Sequence, residues 1–126
     1  MGFATSVRIA NTIEVKSLTI LTDASGDYTG TVAISGQIKK IALDIGTLTG
    51  GAVDVTLTDN VSLETIHTKS NIAASYASYP KIQNKDSSDN AITGQYVEPV
   101  VGTAKLVVAQ GGNATTGTFY IYYTRI

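Results

Sequence analysis

The sequence predicts an all-β fold, namely an antiparallel β-sandwich with a jelly-roll-like arrangement of about eight strands. Short segments alternate apolar with polar residues, as strands with one buried face do. Turn-forming stretches rich in Gly, Asn and Asp separate these segments, among them "DASGD", "GTLTGG" and "QGGN". The length of 126 residues suits a single domain, so one β-sandwich domain is predicted over residues 1–126.

Two of the strand patterns change face without a turn between their halves. Apolar residues fall on odd positions before Lys16-Ser17 and on even positions after it, and around Lys39-Lys40 the order is reversed. A shift by one residue turns every side chain to the other face of a sheet. Neither Lys-Ser nor Lys-Lys suits the positive φ of a tight hairpin. We therefore expect a bulge or a corner between sheets at each pair.

The middle of the chain is less regular. Alternation is clean in Val53–Thr58, whereas residues 70–99 mix small and polar residues with three tyrosines and two prolines. Within this irregular segment, "NIAASYASY" places Tyr76 and Tyr79 near helical spacing, which allows at most one or two helical turns that end at Pro80. A segment of this length between strands is usually functional, binding or mobile.

The C-terminal strand pattern, "TGTFYIYYTRI", has large side chains on both faces. Phe119 and Ile121 point to one face, and Tyr120 and Tyr122 point to the other. A strand with one solvent-exposed face would alternate apolar with polar residues instead. We predict that protein covers the second face, and that this protein is another chain. The alternative is that the segment 70–99 folds back over the two tyrosines.

Composition and charge exclude several function classes. Hydrophobic residues make up 43% and charged residues 15% of the chain, and the formal net charge is −1. No basic patch of the kind that binds nucleic acid is present in the sequence. Apolar runs are too short for a membrane-spanning helix. The chain has no cysteine, which excludes disulfides and thiolate metal sites.

The residues that usually carry chemistry form no recognisable catalytic or metal motif. His67 is the only histidine, and a Ser-His-Asp arrangement or most zinc sites would depend on it. Asp23 and Asp27 in "DASGD", like Asp86 and Asp89 in "KDSSDN", supply oxygens of the kind that bind calcium. Turn stabilisation by Asp, Ser and Asn side chains explains both loops better. We predict no catalysis, no metal and no cofactor.

The tyrosines are the main functional signal. Seven tyrosines accompany two phenylalanines and no tryptophan. Tyrosine combines a large apolar body with a polar tip, which suits surfaces that become buried on binding. The candidate protein-interface residues are Tyr120, Tyr122, Tyr76 and Tyr79.

Several stretches resemble small virion structural proteins from the head modules of tailed bacteriophages. These stretches are "GTVAISGQIKKIALDIG", "VDVTLTDN", "ASYPK", "NAITG" and "KLVVAQGGNATTGTFYIYY", which together cover roughly Gly30 to Tyr123. The resemblance implies a β-sandwich or jelly-roll protein of the virion, either a capsid decoration or a minor capsid protein. It also implies a homo-oligomer whose partners are other virion proteins, above all the major capsid protein.

A lectin-like sandwich is the alternative hypothesis. Such a module would bind carbohydrate on a host surface by stacking tyrosine rings on sugar rings. The surroundings of Tyr120 and Tyr122 discriminate the two hypotheses. Coverage by a neighbouring chain favours the structural role, whereas an open position beside acidic or amide side chains such as Asp54 or Gln110 favours sugar binding.

Overall fold

The computed structural model describes residues 13–85 and 91–125, and within these ranges the regular structure consists of β-strands. The eight strands are β1 (Ile13–Leu21), β2 (Tyr28–Asp44), β3 (Val53–Asp59), β4 (Thr65–Ile72), β5 (Tyr76–Ser78), β6 (Lys81–Lys85), β7 (Ala91–Ala109) and β8 (Thr116–Arg125). All paired strands run antiparallel. The predicted all-β, antiparallel class is confirmed.

The strands form one strongly curled half-barrel sheet, so the predicted two-sheet, jelly-roll-like sandwich is wrong. The strand order is β1-β8-β2-β7-β3-β4, and β5 extends the sheet along β2. The eighth strand, β6, pairs with the first part of β7. Strands β2 and β7 are 17 and 19 residues long. Each of them pairs with different strands along its length: β2 with β7 and then β8, and β7 with β6 and then β3. Because both strands continue in the same sheet, the chain has no corner at which a strand would cross to a second sheet.

Strand β2 shows how the sheet curls. Its register with β8 shifts between Ile38 and Lys40, so Lys39 is the extra residue of a β-bulge. The bulge predicted at Lys39-Lys40 is therefore confirmed. Gly36 precedes it, at a point where a side chain would meet the Thr124 carbonyl oxygen of β8. A glycine and a bulge close together allow a strand to bend sharply while it stays paired on both edges.

The bulge predicted at Lys16-Ser17 is wrong. Strand β1 pairs with β8 over nine residues without a register shift. The even-numbered Ile20 is buried, whereas Ile13 and Val15 are exposed on the opposite face. The apolar residues change from odd to even positions because β1, an edge strand of the described sheet, carries some of its apolar side chains on the outer face.

The hydrophobic core fills the concave face of the sheet. Phe119 of β8, Leu57 of β3 and Ile41 of β2 are each fully buried. They come from three different strands, so the curl brings the alternating inward residues of the sheet together. The other fully buried large side chains are Ile20, Ile34, Ile38, Leu43, Val53, Val55, Ile72, Leu106 and Ile121.

The described parts of the irregular segment 70–99 are mostly extended, and they form no helical turn around Tyr76. Its described parts belong to β4, β5, β6 and β7. Tyr76 pairs with Leu43 of β2, so hydrogen bonds to a sheet edge replace those of a local helix. Strand β2 lies between β5 and β8. The β5 part of the segment therefore lies beside β2, and not over the tyrosines of β8.

Candidate functional site

The convex face of the sheet carries Tyr122 between two neighbouring strands. Tyr122 lies opposite Val15 of β1 and opposite Lys40 of β2. The Lys40 Nζ lies 4.9 Å from the centroid of the Tyr122 ring. Such a cation–π contact contributes about 0.5–1 kcal/mol at an exposed site. Lys40 therefore covers one side of the ring, and the ring remains partly exposed.

Tyr120 lies two residues earlier on the same face. Its neighbours across the sheet are Ser17 of β1 and Ala42 of β2. Both are small, so little side-chain bulk separates Tyr120 from water or from a partner. We call Val15, Lys40, Ala42, Tyr120 and Tyr122 the convex patch.

Strand β1 extends this surface with exposed aliphatic side chains. Ile13, Val15 and Leu21 are 57%, 49% and 60% exposed. All three are odd-numbered and therefore lie on the convex face of an unbulged strand. We call Ile13, Val15 and Leu21 the β1 apolar row. Ile13 and Val15 lie close to Tyr122, whereas Ser17 and Thr19 separate Leu21 from them on the same face.

Tyr76 lies elsewhere and packs against the core. Its hydroxyl lies 2.8 Å from Nε2 of His67, and the two ring centroids are 5.7 Å apart. The Lys69 Nζ lies 5.2 Å from the Tyr76 ring centroid. Burial raises the pKa of Tyr76 to about 12. Burial, and then the positive charge of Lys69, lower the pKa of His67. The pair is a packed, hydrogen-bonded contact between β4 and β5.

Stability is expected to fall as the pH drops below the ordinary His67 pKa of 6.5. The folded-state pKa is lowered, so the unfolded chain binds the proton more readily. The stabilisation by neutral His67 is present above pH 6.5 and is lost as the pH falls from there through the folded-state pKa. Urea midpoints measured from pH 8 to pH 5.5 would report it. His67→Gln should flatten this dependence, and an unchanged dependence in that variant would contradict the assignment.

Tyr79 is separate from both clusters. It is 61% exposed and directly precedes the buried Pro80. It follows β5, which pairs with the edge of β2 opposite to β8. Among the four predicted interface residues, the structure thus brings together Tyr120 and Tyr122 and places Tyr76 and Tyr79 apart from them.

Sequence reasoning missed Val15, Ile13 and Lys40 as surface residues of this site. Val15 and Ile13 resembled core residues because they alternate with polar neighbours. Both are at odd positions, whereas the buried Ile20 is at an even position of the same edge strand. This difference is the sequence signal that separates them from the core. Lys40 becomes a neighbour of Tyr122 only through the register of β2 with β8.

Polar clusters outside the patch hold the fold together. The Tyr123 hydroxyl donates to Glu14 Oε1 at 3.1 Å, and Arg125 Nη2 lies 3.0 Å from the same oxygen. Burial, followed by the bond to Glu14, raises the pKa of Tyr123. This network joins β1 to β8.

The "DASGD" loop is a turn, as the sequence indicated. Asp23 Oδ1 accepts the Ser25 and Asp27 amide hydrogens at 2.8 and 3.0 Å. The second acidic loop, with Asp86 and Asp89, lies outside the described residues. Within the described ranges, no three His, Asp or Glu side chains are grouped as metal ligands would be.

Comparison with known proteins does not assign this chain to a family. No protein-family model matches the sequence, and no curated protein sequence matches it. In the part of the chain that the structure describes, no helix could cross a membrane.

Proposed function

We propose that this chain is a non-enzymatic structural protein of a bacteriophage particle, a capsid decoration or minor capsid protein. It self-associates and binds other virion proteins, above all the major capsid protein. The convex patch carries this proposal: two partly buried tyrosines lie beside exposed aliphatic side chains on one sheet face. The likeness of the strand patterns to phage head proteins supports the location in the virion.

The curled sheet explains why the patch suits a protein partner. The concave face is filled by the core of the chain itself, so the convex face is the one available to other chains. Tyrosine is enriched in protein interfaces and charged residues are depleted from their centres. Lys40 is the only charged member of the convex patch, and its ammonium group is already directed at the Tyr122 ring. The patch therefore fits an apolar or weakly acidic protein surface.

The two polar residues that the sequence suggested for the lectin-like alternative do not support it. It calls for acidic or amide side chains beside Tyr120 and Tyr122. Asp54 belongs to β3, which β2 and β7 separate from β8, and Asp54 Oδ1 accepts the amide hydrogen of Asn71 at 3.0 Å. Gln110 follows the end of β7. Neither of the polar residues named for sugar binding thus lies on β8 or on the strands that pair with it.

Replacing both Tyr120 and Tyr122 with serine tests the proposal. Burying one such ring contributes roughly 1.5–3 kcal/mol, so the double variant should weaken binding to the phage head by about two to four orders of magnitude. Analytical ultracentrifugation would measure self-association. Co-sedimentation with phage heads that lack the protein would measure binding to the particle.

Tyr79→Ser is the matched control, because it removes an exposed tyrosine away from the convex patch. It should leave both kinds of association unchanged. If the double variant binds phage heads normally and only melts earlier, the tyrosines stabilise the monomer and the proposal is wrong. Loss of glycan binding together with normal head binding would instead support the lectin-like alternative.

A further inference from the structure

Within the residues that the structure describes, one edge of strand β1 is regular and has no paired strand. It pairs with β8 along one side over nine residues without a register shift, and it is the terminal strand of the described sheet. The opposite terminal strand, β4, differs in this respect. Its ladder with β3 shifts register twice, and Asn71 has a φ of 54°. Bulges and kinks are devices that keep sheet edges from pairing, so within the described residues β4 has a less regular edge than β1.

The β1 apolar row is arranged symmetrically about Ser17. Ile13 lies four residues before Ser17, and Leu21 lies four residues after it. The residues two positions away are Val15 and Thr19, which have similar size and are both β-branched. Bulky aliphatic side chains thus lie at both ends of the convex edge, and the smallest one lies at its centre.

We propose that β1 pairs antiparallel with β1 of a second copy, across a two-fold axis at Ser17. The inference rests on the self-association in the proposed function and specifies how the copies meet. An axis perpendicular to the sheet keeps the convex face of both copies on one side. Ile13 then faces Leu21 of the second copy, Val15 faces Thr19, and Ser17 faces itself. All members of the β1 apolar row gain a cross-strand neighbour.

Neighbouring registers are less favourable. An axis at Lys16 would place two ammonium groups directly opposite each other, which is destabilising. An axis at Val15 would leave Leu21 beyond the ladder formed by the described strand. An axis at Leu18 would place Ile13 opposite Asp23 of the second copy. The register at Ser17 avoids the pair of like charges, the unpaired Leu21 and the pairing of Ile13 with Asp23.

The concave side of this junction remains compatible with water. Lys16 would lie opposite Leu18 of the second copy. Lys16 is exposed and lines an open groove of about 360 Å³ together with Ser35 and Arg125. Its aliphatic stem can cover Leu18 while the ammonium group stays hydrated in the groove. The charge on β1 is therefore no barrier to pairing.

Pairing in this register also enlarges the convex patch. Strand β8 adjoins β1, so the centre of the joined sheet runs β8-β1-β1-β8. The Tyr120 and Tyr122 side chains of both copies then lie on one continuous surface, with the paired aliphatic residues between them. The two-copy unit presents this combined surface to the other virion protein.

Cysteine cross-linking tests the register, because the chain contains no cysteine of its own. Directly opposite residues in antiparallel strands have Cα atoms about 4.5–5.5 Å apart, which lies within the range of a disulfide. Ser17→Cys should form a disulfide-linked dimer under mild oxidation. Thr19→Cys is the matched control, because two Thr19 residues would lie about 13 Å apart along the strand. A mixture of the Val15→Cys and Thr19→Cys proteins should cross-link as a heterodimer.

A second variant separates the interface from the fold. Leu21→Lys changes an exposed side chain, so the monomer should stay folded while dimerisation weakens at least tenfold. If the native protein self-associates but Ser17→Cys cross-links no faster than Thr19→Cys, the β1 junction is wrong and the proposed function stands. If the native protein is monomeric at every concentration and does not bind heads, both are wrong.

Discussion

Replacing Phe119 with alanine is expected to lower the free energy of unfolding by about 3–5 kcal/mol. Phe119 is fully buried on the concave face, where it pairs with Leu18 of β1 and Leu43 of β2. Truncation removes the largest of the fully buried side chains in the described residues and leaves a cavity between three strands. Urea unfolding followed by far-ultraviolet circular dichroism would measure the loss.

Tyr120→Ala is the matched control for this prediction. It truncates an aromatic ring of similar size, one residue along the same strand, on the convex face. The free energy of unfolding of the monomer should fall by much less than for Phe119→Ala. Equal losses for the two variants would mean that β8 is buried equally on both faces within one chain. That outcome would contradict the assignment of Phe119 to the buried concave face and of Tyr120 to the convex face.

Replacing Gly36 with valine is expected to destabilise the fold by at least the roughly 1–3 kcal/mol typical of overpacking. A Cβ atom at this position would meet the backbone carbonyl oxygen of Thr124, with the Tyr123 ring also close, at 3.1 Å. Backbone atoms of a paired strand cannot move aside without breaking the ladder between β2 and β8. Urea unfolding would measure the effect, and β8 should lose amide-exchange protection first.

Ser35→Val is the corresponding control. Ser35 is the neighbouring residue of β2 and is exposed, and valine favours strands. The variant should be as stable as the native protein or slightly more stable. If valine is tolerated equally at positions 35 and 36, close approach of β8 to Gly36 does not shape the bend in β2.

The two changes of parity show where sequence reasoning succeeded and where it failed. The pattern around Lys39-Lys40 marks a real bulge, because β2 is an interior strand and must supply core residues on both sides of the bend. The same signal at Lys16-Ser17 marks no bulge. Strand β1 lies at an edge, so Ile13 and Val15 can remain on the convex face without disrupting the core.

The candidate site was only partly predictable for a similar reason. Tyr120 and Tyr122 were identified because bulk on both faces of one strand is a local feature of the sequence. Their neighbours Val15 and Lys40 are distant in sequence and become adjacent only through the pairing of β8 with β1 and β2. Tyr76 resembled them in type, but its pairing with Leu43 turns it toward the core and His67.

The sequence by itself determined the all-β class, the alternation of inward and outward residues and the bulge in β2. These features depend on short-range patterns, since the side-chain period of a strand and the chemistry of a turn are local. Tertiary structure alone decided that the strands form one curled sheet, because this outcome depends on which edges meet across the chain. The long ladders of β2 and β7, and the bend that Gly36 permits, kept the strands in a single curled sheet.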